Sequence, residues 1–225
     1  MKKIRIITTV AILAISLLSP IHSDANGVPD NGQKNLQPIM DALMERYAGR
    51  DFSADFHQES TLSALDISDT AGGTAWFKHP GRMRWEYRFP DRHIIVTDGD
   101  TLWIHRPEEN QVVKGNAANY FGDGKGAGFL SNFSLIAEAF EVSLLNGSQA
   151  HWRLKLVPHE KHYELSAIYL EINRKTTEIE RVVTENAFGD TTTITLDNLS
   201  FSSDMDVSLF EFEIPGGTDI IYMDE

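Results

Sequence analysis

The stretch Arg82-Met83-Arg84-Trp85-Glu86-Tyr87-Arg88 decides how the rest of the chain is read. Met83, Trp85 and Tyr87 fall on one side of an extended backbone, and four charged residues fall on the other. Successive side chains of a strand point to opposite faces, so this segment is predicted to have one face in water and one on an apolar interior. The period of two recurs on both sides of it. Upstream, Phe52, Ala54 and Phe56 alternate with Ser53, Asp55 and His57, and Gly72-Gly73 opens a strand that runs through Lys78 to a Pro80-Gly81 turn. Downstream, Pro90 interrupts, and His93 to Thr97, the hairpin signal Asp98-Gly99, Thr101 to His105 and Gln111 to Lys114 follow. In the second half, Trp152, Leu154 and Leu156 share a face, as do Ile168, Leu170 and Ile172. Segments 178–186, 190–199 and 207–214 complete the series, the last with Phe210, Phe212 and Ile214 on its apolar side.

Two stretches have helical spacing instead. Leu36, Ile39, Met40, Leu43, Met44 and Tyr47 form one stripe, behind a cap at Asn35 and ahead of Gly49. Phe129, Leu130, Phe133, Ile136, Ala137 and Phe140 form a second, after a Gly- and Asn-rich stretch at 115–128. A chain of this kind is mainly β with helices: about nine to eleven antiparallel strands in a curved sheet or partial barrel. The helices bury their stripes as an α-helical lid over its concave face.

Composition narrows the functions. At 225 residues and 41% hydrophobic, the chain is sized for one globular domain. Its 33 acids against 20 bases leave a net charge of −13, which argues against nucleic acid as a partner and against docking on anionic lipid through charge alone. Cysteine is absent, which removes disulfides, thiolate metal sites and cysteine nucleophiles. Residues 1–25 read as a secretory signal peptide: Lys2, Lys3 and Arg5 precede an apolar-rich run of 13, Ile6 to Leu18, and Ser23-Asp24-Ala25 offers small residues for cleavage. The run is shorter than the roughly 20 residues that span a bilayer. Cleavage after Ala25 is expected, leaving 26–225 as a single domain outside the cytoplasm. The leader's three bases and Asp24 make it net +2, so residues 26–225 carry −15.

No constellation for catalysis is visible. His159-Glu160-Lys161-His162 lies between two strand patterns and lacks the spacing of a zinc-protease helix. Asp98-Gly99-Asp100 lacks the later residues of a calcium loop, and the glycines from Gly122 to Gly128 lack the preceding strand of a nucleotide fingerprint. The chain is therefore read as a binding protein rather than an enzyme, with no metal site and no cofactor. Its inward aromatic and apolar load, which includes Phe77, Met83, Trp85, Tyr87, Ile95 and Trp152, fits either an ordinary core or the lining of a cavity.

The ordered motifs favour the cavity. Gly72-Gly73, Trp76, His79-Pro80-Gly81, Met83, Trp85-Glu86-Tyr87, Pro90, Ile95-Val96, Asp98-Gly99, Leu102-Trp103 and Gln111-Val112 follow one another at characteristic spacings. With Phe56-x-Gln58 upstream and Phe210-x-Phe212-x-Ile214-Pro215-x-Gly217-x-Asp219 near the end, the set resembles the periplasmic outer-membrane lipoprotein carrier family, LolA, over essentially all of 26–225. The resemblance implies an open antiparallel β half-barrel closed by an α-helical lid, and a periplasmic carrier that takes lipoproteins from an inner-membrane ABC-type releasing complex and hands them to an outer-membrane lipoprotein acceptor. It implies an acyl-binding cavity at Met83, Trp85 and Ile95 on the strands, with Phe77 beside them. Phe129, Leu130 and Phe133 would serve on the middle lid helix, and Met40 and Leu43 on the first. Where the family commonly has an arginine before the proline that latches the lid, this chain has His79. A neutral histidine has fewer donors and a reference pKa of about 6.5, so a weaker and pH-dependent latch is expected if His79 has that role at all. A carrier of another lipid or lipid-linked molecule, or a lipoprotein-sensing module, would share these features.

Overall fold

A computed structural model describes residues 31–122, 127–161 and 163–223. The signal peptide expected at 1–25 lies outside the described residues, as do His162 and part of the glycine-rich segment. The alternating segments form strands β1 (Asp51–Leu62), β2 (Ile67–Lys78), β3 (Arg82–Phe89), β4 (His93–Thr97), β5 (Thr101–Arg106) and β6 (Gln111–Asn116). After the middle segment come β7 (Phe140–Leu145), β8 (His151–Pro158), β9 (Ala167–Asn173), β10 (Ile179–Glu185), β11 (Thr191–Ser202) and β12 (Asp219–Tyr222). The helices are α1 (Asn31–Tyr47), α2 (Ala117–Phe121) and α3 (Ser134–Ala139).

All the strands join in one sheet, ordered β12-β6-β5-β4-β3-β2-β1-β11-β10-β9-β8-β7, and its two edge strands do not meet. Neighbours are antiparallel except β12, which runs parallel to β6. The long strands β1 and β11 pair along the middle, Asp51 opposite Ser202 and Thr61 opposite Thr191, and join an N-terminal meander to a C-terminal one. The open half-barrel with helices on one face is the expected architecture.

The details differ in four places. Among the described residues there are twelve strands rather than nine to eleven: Asp219–Tyr222 is exposed at every position, so it carries no alternation to read. Residues 207–214 do not form a strand. The Asp206 carboxylate accepts the Ser208 N–H at 2.9 Å and caps a 3-10 turn over Val207–Phe210, and the chain then runs on extended. Its apolar side is nonetheless used, since Phe210 is fully buried and the Phe212 ring lies 6.2 Å from that of Trp103. The second helical stretch is broken into a 3-10 turn at Gly128–Leu130 and the short α3, with Phe140 already in β7. Between the pieces, Ser134 Oγ donates to the Asn132 side chain at 2.7 Å, a local bond that competes with helix continuation. Finally, α1 starts at Asn31, so Asn35 lies within it; residues 31–34 have no apolar period to mark the true start.

Each face of the sheet is buried differently. On the inner face, α1 and residues 127–140 pack over β1–β3 and β7–β11 in one apolar cluster. On the outer face of β3–β5, the segment after β11 lies across the strands: Arg84 donates to the Leu209 carbonyl at 3.1 Å, and Phe212 sits by Trp103 and His105. Val96, Val112 and Phe210 are each fully buried beneath or within that strap.

Candidate functional site

Register places the inner-face side chains in rows. Met83 pairs with Phe77, Phe77 with Phe52 and Phe52 with Phe201, an apolar row across β3, β2, β1 and β11. Farther along, Tyr87 pairs with Gly73 and Gly73 with Phe56. A Cβ on Gly73 would stand 1.8 Å from the Glu86 carbonyl oxygen, so only glycine fits. Across that bare position the Phe56 and Tyr87 rings meet edge to face at 4.9 Å. Beyond them Gln58 pairs with Ile194, and then Ser60 with Thr192 and Thr192 with Thr184. The inner face thus turns from apolar to polar along β1.

The apolar end is filled. Tyr47, the last residue of α1, stacks on Phe133 at 4.4 Å and meets Phe52 edge-on at 5.3 Å. Its hydroxyl oxygen accepts the Ile179 N–H at 2.8 Å, which ties α1 to β10. Burial pushes its pKa well above the ordinary tyrosine range, with the Ile179 bond opposing. Arg46 pairs with Glu178, and its guanidinium lies 4.2 Å over the Phe201 ring. Phe52, Phe77, Phe129, Leu43 and Met83 are no more than 1% exposed.

Toward the polar end the filling stops short. A cavity of about 200 Å³ opens between Trp85, Tyr87 and Ile95 on one wall, Ile194, Thr192 and Thr184 on the other, Gln58 on the floor and Phe121 and Ala127 above. The Tyr87 hydroxyl donates to Gln58 Oε1 at 2.9 Å, and burial pushes its pKa up to about 12. Past Ile95 a wider cleft of about 640 Å³ continues along β4 and β5, lined by His93, Ile104 and Arg106 with the charged loops at 90–92 and 108–109. His93 stacks on Tyr87 at 3.9 Å, and burial, with Arg106 adding to it, lowers its pKa, so the stacked ring is neutral at pH 7. In the opposite direction a polar cleft of about 250 Å³ shares Thr184 and Thr192 with the cavity.

The sequence-expected site residues converge. Leu43, Phe77, Met83, Trp85, Phe129, Leu130 and Phe133 are at most 5% exposed and belong to one cluster, with Met40 and Ile95 packed against it. Trp85 and Ile95 also line the cavity, whereas the others are packed against one another. Gln58, Phe121, Ala127, Thr184, Thr192 and Ile194 were not among the expected contacts. The inward phase of Thr184 after Val182, and of Thr192 before Ile194, was a readable signal for the polar wall. The His79 imidazole makes no hydrogen bond or ion pair among the described residues; its backbone N–H donates to Asp51 Oδ1 at 3.2 Å. The turn that carries it does touch the lid, through Gly81 N–H to the Ser131 carbonyl at 3.1 Å. His159 to Lys161 form an exposed bend between β8 and β9. Among the described residues no helix is long and apolar enough to cross a membrane.

Comparison with known proteins agrees with this geometry. A protein from Chromohalobacter salexigens named outer-membrane lipoprotein carrier protein is 26% identical over 180 residues, covering 80% of this chain and 83% of the relative. One of the same name from Alkalilimnicola ehrlichii is 28% identical over 171 residues, covering 76% and 75%. Among solved structures, an uncharacterized conserved protein from Thermus thermophilus has the same fold, with a TM-score of 0.54 at 12% identity, over 84% of this chain and 99% of that one. The structure of MucB reaches 0.50 at 15% identity, over 84% of this chain and 66% of that one. The model of the family described as outer membrane lipoprotein carrier protein LolA matches residues 49–213, and with β1 to the C-terminal strap all inside that match, the chain belongs to the LolA family.

Proposed function

We propose that this chain is a periplasmic carrier that shelters the acyl chains of lipoproteins between the two membranes. It receives them from an inner-membrane ABC-type releasing complex and delivers them to an outer-membrane lipoprotein acceptor, after residues 1–25 have been removed as a signal peptide. The observation that carries this reading is a filling that covers one end of the inner face and stops short of the other. The inner face is covered at one end by α1 and residues 127–140, mostly through side-chain packing, and continues beyond them into a cavity. At about 200 Å³ the cavity is smaller than the roughly 300–1,000 Å³ of ordinary ligand pockets, so full loading needs the covering segments to lift. Lifting exposes rings such as Phe129 and Phe133, and incoming methylenes, each worth about 0.8 kcal/mol on burial, offset that exposure. Such an exchange binds cargo without holding it irreversibly, as a shuttle requires.

The test is release. Purified residues 26–225 are added to spheroplasts of the source cell, and the supernatant is examined for soluble 1:1 complexes. Lipoproteins that appear only when this protein is added establish the carrier and name its cargo. If lipoproteins stay in the membrane while the protein emerges loaded with another lipid, the lipoprotein assignment is overturned.

A further inference from the structure

The cavity is chemically lopsided along its length. At one end it has Trp85, Ile95 and Phe121; at the other it joins the polar cleft through Thr184 and Thr192, which line both. Between the two ends the side chains are bonded to one another. Gln58 Nε2 donates to Ser60 Oγ at 3.1 Å, the Ser60 and Thr192 hydroxyls lie 3.4 Å apart, and Gln58 Oε1 is taken by Tyr87. Among the described residues the second amide hydrogen of Gln58 is left over, as is one proton of the Ser60 and Thr192 hydroxyl pair, because two hydroxyls joined by one hydrogen bond leave one proton free, whereas the Thr184 hydroxyl already donates to the Thr192 carbonyl at 3.5 Å. The free groups are donors, and they suit a ligand that brings acceptors. Charge sets a second condition. The polar cleft carries Glu164 and Asp190, and neither it nor the cavity has a lysine or arginine among its described lining residues. With the chain at −13, an anionic head group finds no counter-charge there and meets like charge at the mouth.

We propose that Gln58, Ser60 and Thr192, with Thr184 beside them, form a head-group subsite for the uncharged carbonyls of ester- and amide-linked acyl chains, and that this subsite rejects anionic amphiphiles. The acyl chains then run toward Trp85 and Ile95, and the linked peptide leaves through the polar cleft beside the paired ends of β1 and β11. This assignment rests on the carrier reading and deepens it, because it separates an acylated glyceryl thioether from the membrane's anionic lipids by head group alone.

The experiment titrates the full mature chain with four probes: diphenylhexatriene, 1,2-dipalmitoylglycerol, palmitate at pH 8 and phosphatidylglycerol. The unmodified protein is expected to bind the first two and to bind palmitate and phosphatidylglycerol at least tenfold more weakly than the glyceride. Thr192→Val and Gln58→Leu should each weaken the glyceride about tenfold, the loss of one good hydrogen bond, and leave diphenylhexatriene unchanged. Thr192→Ser, which keeps the hydroxyl, should restore glyceride binding, and Thr192→Lys should admit phosphatidylglycerol. Equal binding of anionic and uncharged lipids, or glyceride binding unmoved by Thr192→Val, overturns the subsite while a protein that still binds diphenylhexatriene keeps its carrier role. Failure of the unmodified chain to bind any of the four overturns both.

Discussion

The two ends of the inner face are built from the same strands and do opposite things. Around Phe52 the strands meet α1 and the 127–140 segment ring against ring, and almost no surface is left. Around Gln58, farther along the same pair of strands, side chains are half-buried, partly polar and face a cavity. A filled end gives the empty protein a reason to stay folded; an unfilled end gives a ligand a place to begin. A cavity along the whole face would expose apolar surface at every opening, and filling along the whole face would leave no starting point.

The sharpest way to break this contrast is by truncation. Phe52→Ala removes a ring that is stacked on Phe77 at 4.6 Å and should destabilise by about 3–5 kcal/mol in urea unfolding, whereas Ile194→Ala, beside the existing cavity, should lose less than half of that. Equal losses would mean that the ends are packed alike. Alkali probes the open end. Tyr87 titrates at about 12 when folded and at about 10 when unfolded, so its contribution is complete below pH 10 and is lost as pH rises toward 12. A fall of about 3 kcal/mol across that window is expected, and the slope should be shallower in Tyr87→Phe. Because Tyr47 shares the direction of shift, a slope that survives Tyr87→Phe unchanged would assign the alkaline transition to the filled end.

Tyr47→Phe tests how the filling is fastened. It keeps the stack on Phe133 but leaves the Ile179 N–H without its acceptor, a loss of about 2 kcal/mol for a buried donor. Uptake of diphenylhexatriene should rise several-fold, since α1 would lift more easily; uptake unchanged while stability falls would show that α1 does not move. His79→Arg should have the smallest effect. If a guanidinium at that half-buried position bonds to the lid, uptake should slow by no more than a few-fold, consistent with about 1 kcal/mol or less for a solvent-accessible charge. Uptake identical from pH 5.5 to 8 in both forms would remove this position from the lid altogether.

Much of this contrast was readable before any coordinates. The strand pattern from Phe52 to Lys114, the stripe of α1 and the inward Met83, Trp85 and Ile95 follow from period alone, because one-sided burial leaves that period in the sequence. What was not readable depends on pairing between distant strands. The inward phase of Thr184 and Thr192 was legible along each strand, but only the β1–β11–β10 register brings them into one row with Ser60. Residues 207–214 carried a correct apolar side and a wrong ladder, since Phe210 and Phe212 pack on a sheet face instead of joining its edge. A latch was expected at His79, but the described contact between its turn and the lid is a backbone bond at Gly81, which side-chain identity does not encode.

The seam between β1 and β11 also bears on how the molecule is made. Its partners lie far apart in the chain, Phe52 opposite Phe201 and Phe56 opposite Leu196, so the sheet cannot close until nearly the last strand has been delivered. Pairings of such long sequence separation form late and slowly. A chain that passes through an export channel from its N-terminus would therefore emerge as two unfinished meanders, pliable throughout transit, and its greasy hollow would come into being only on the far side.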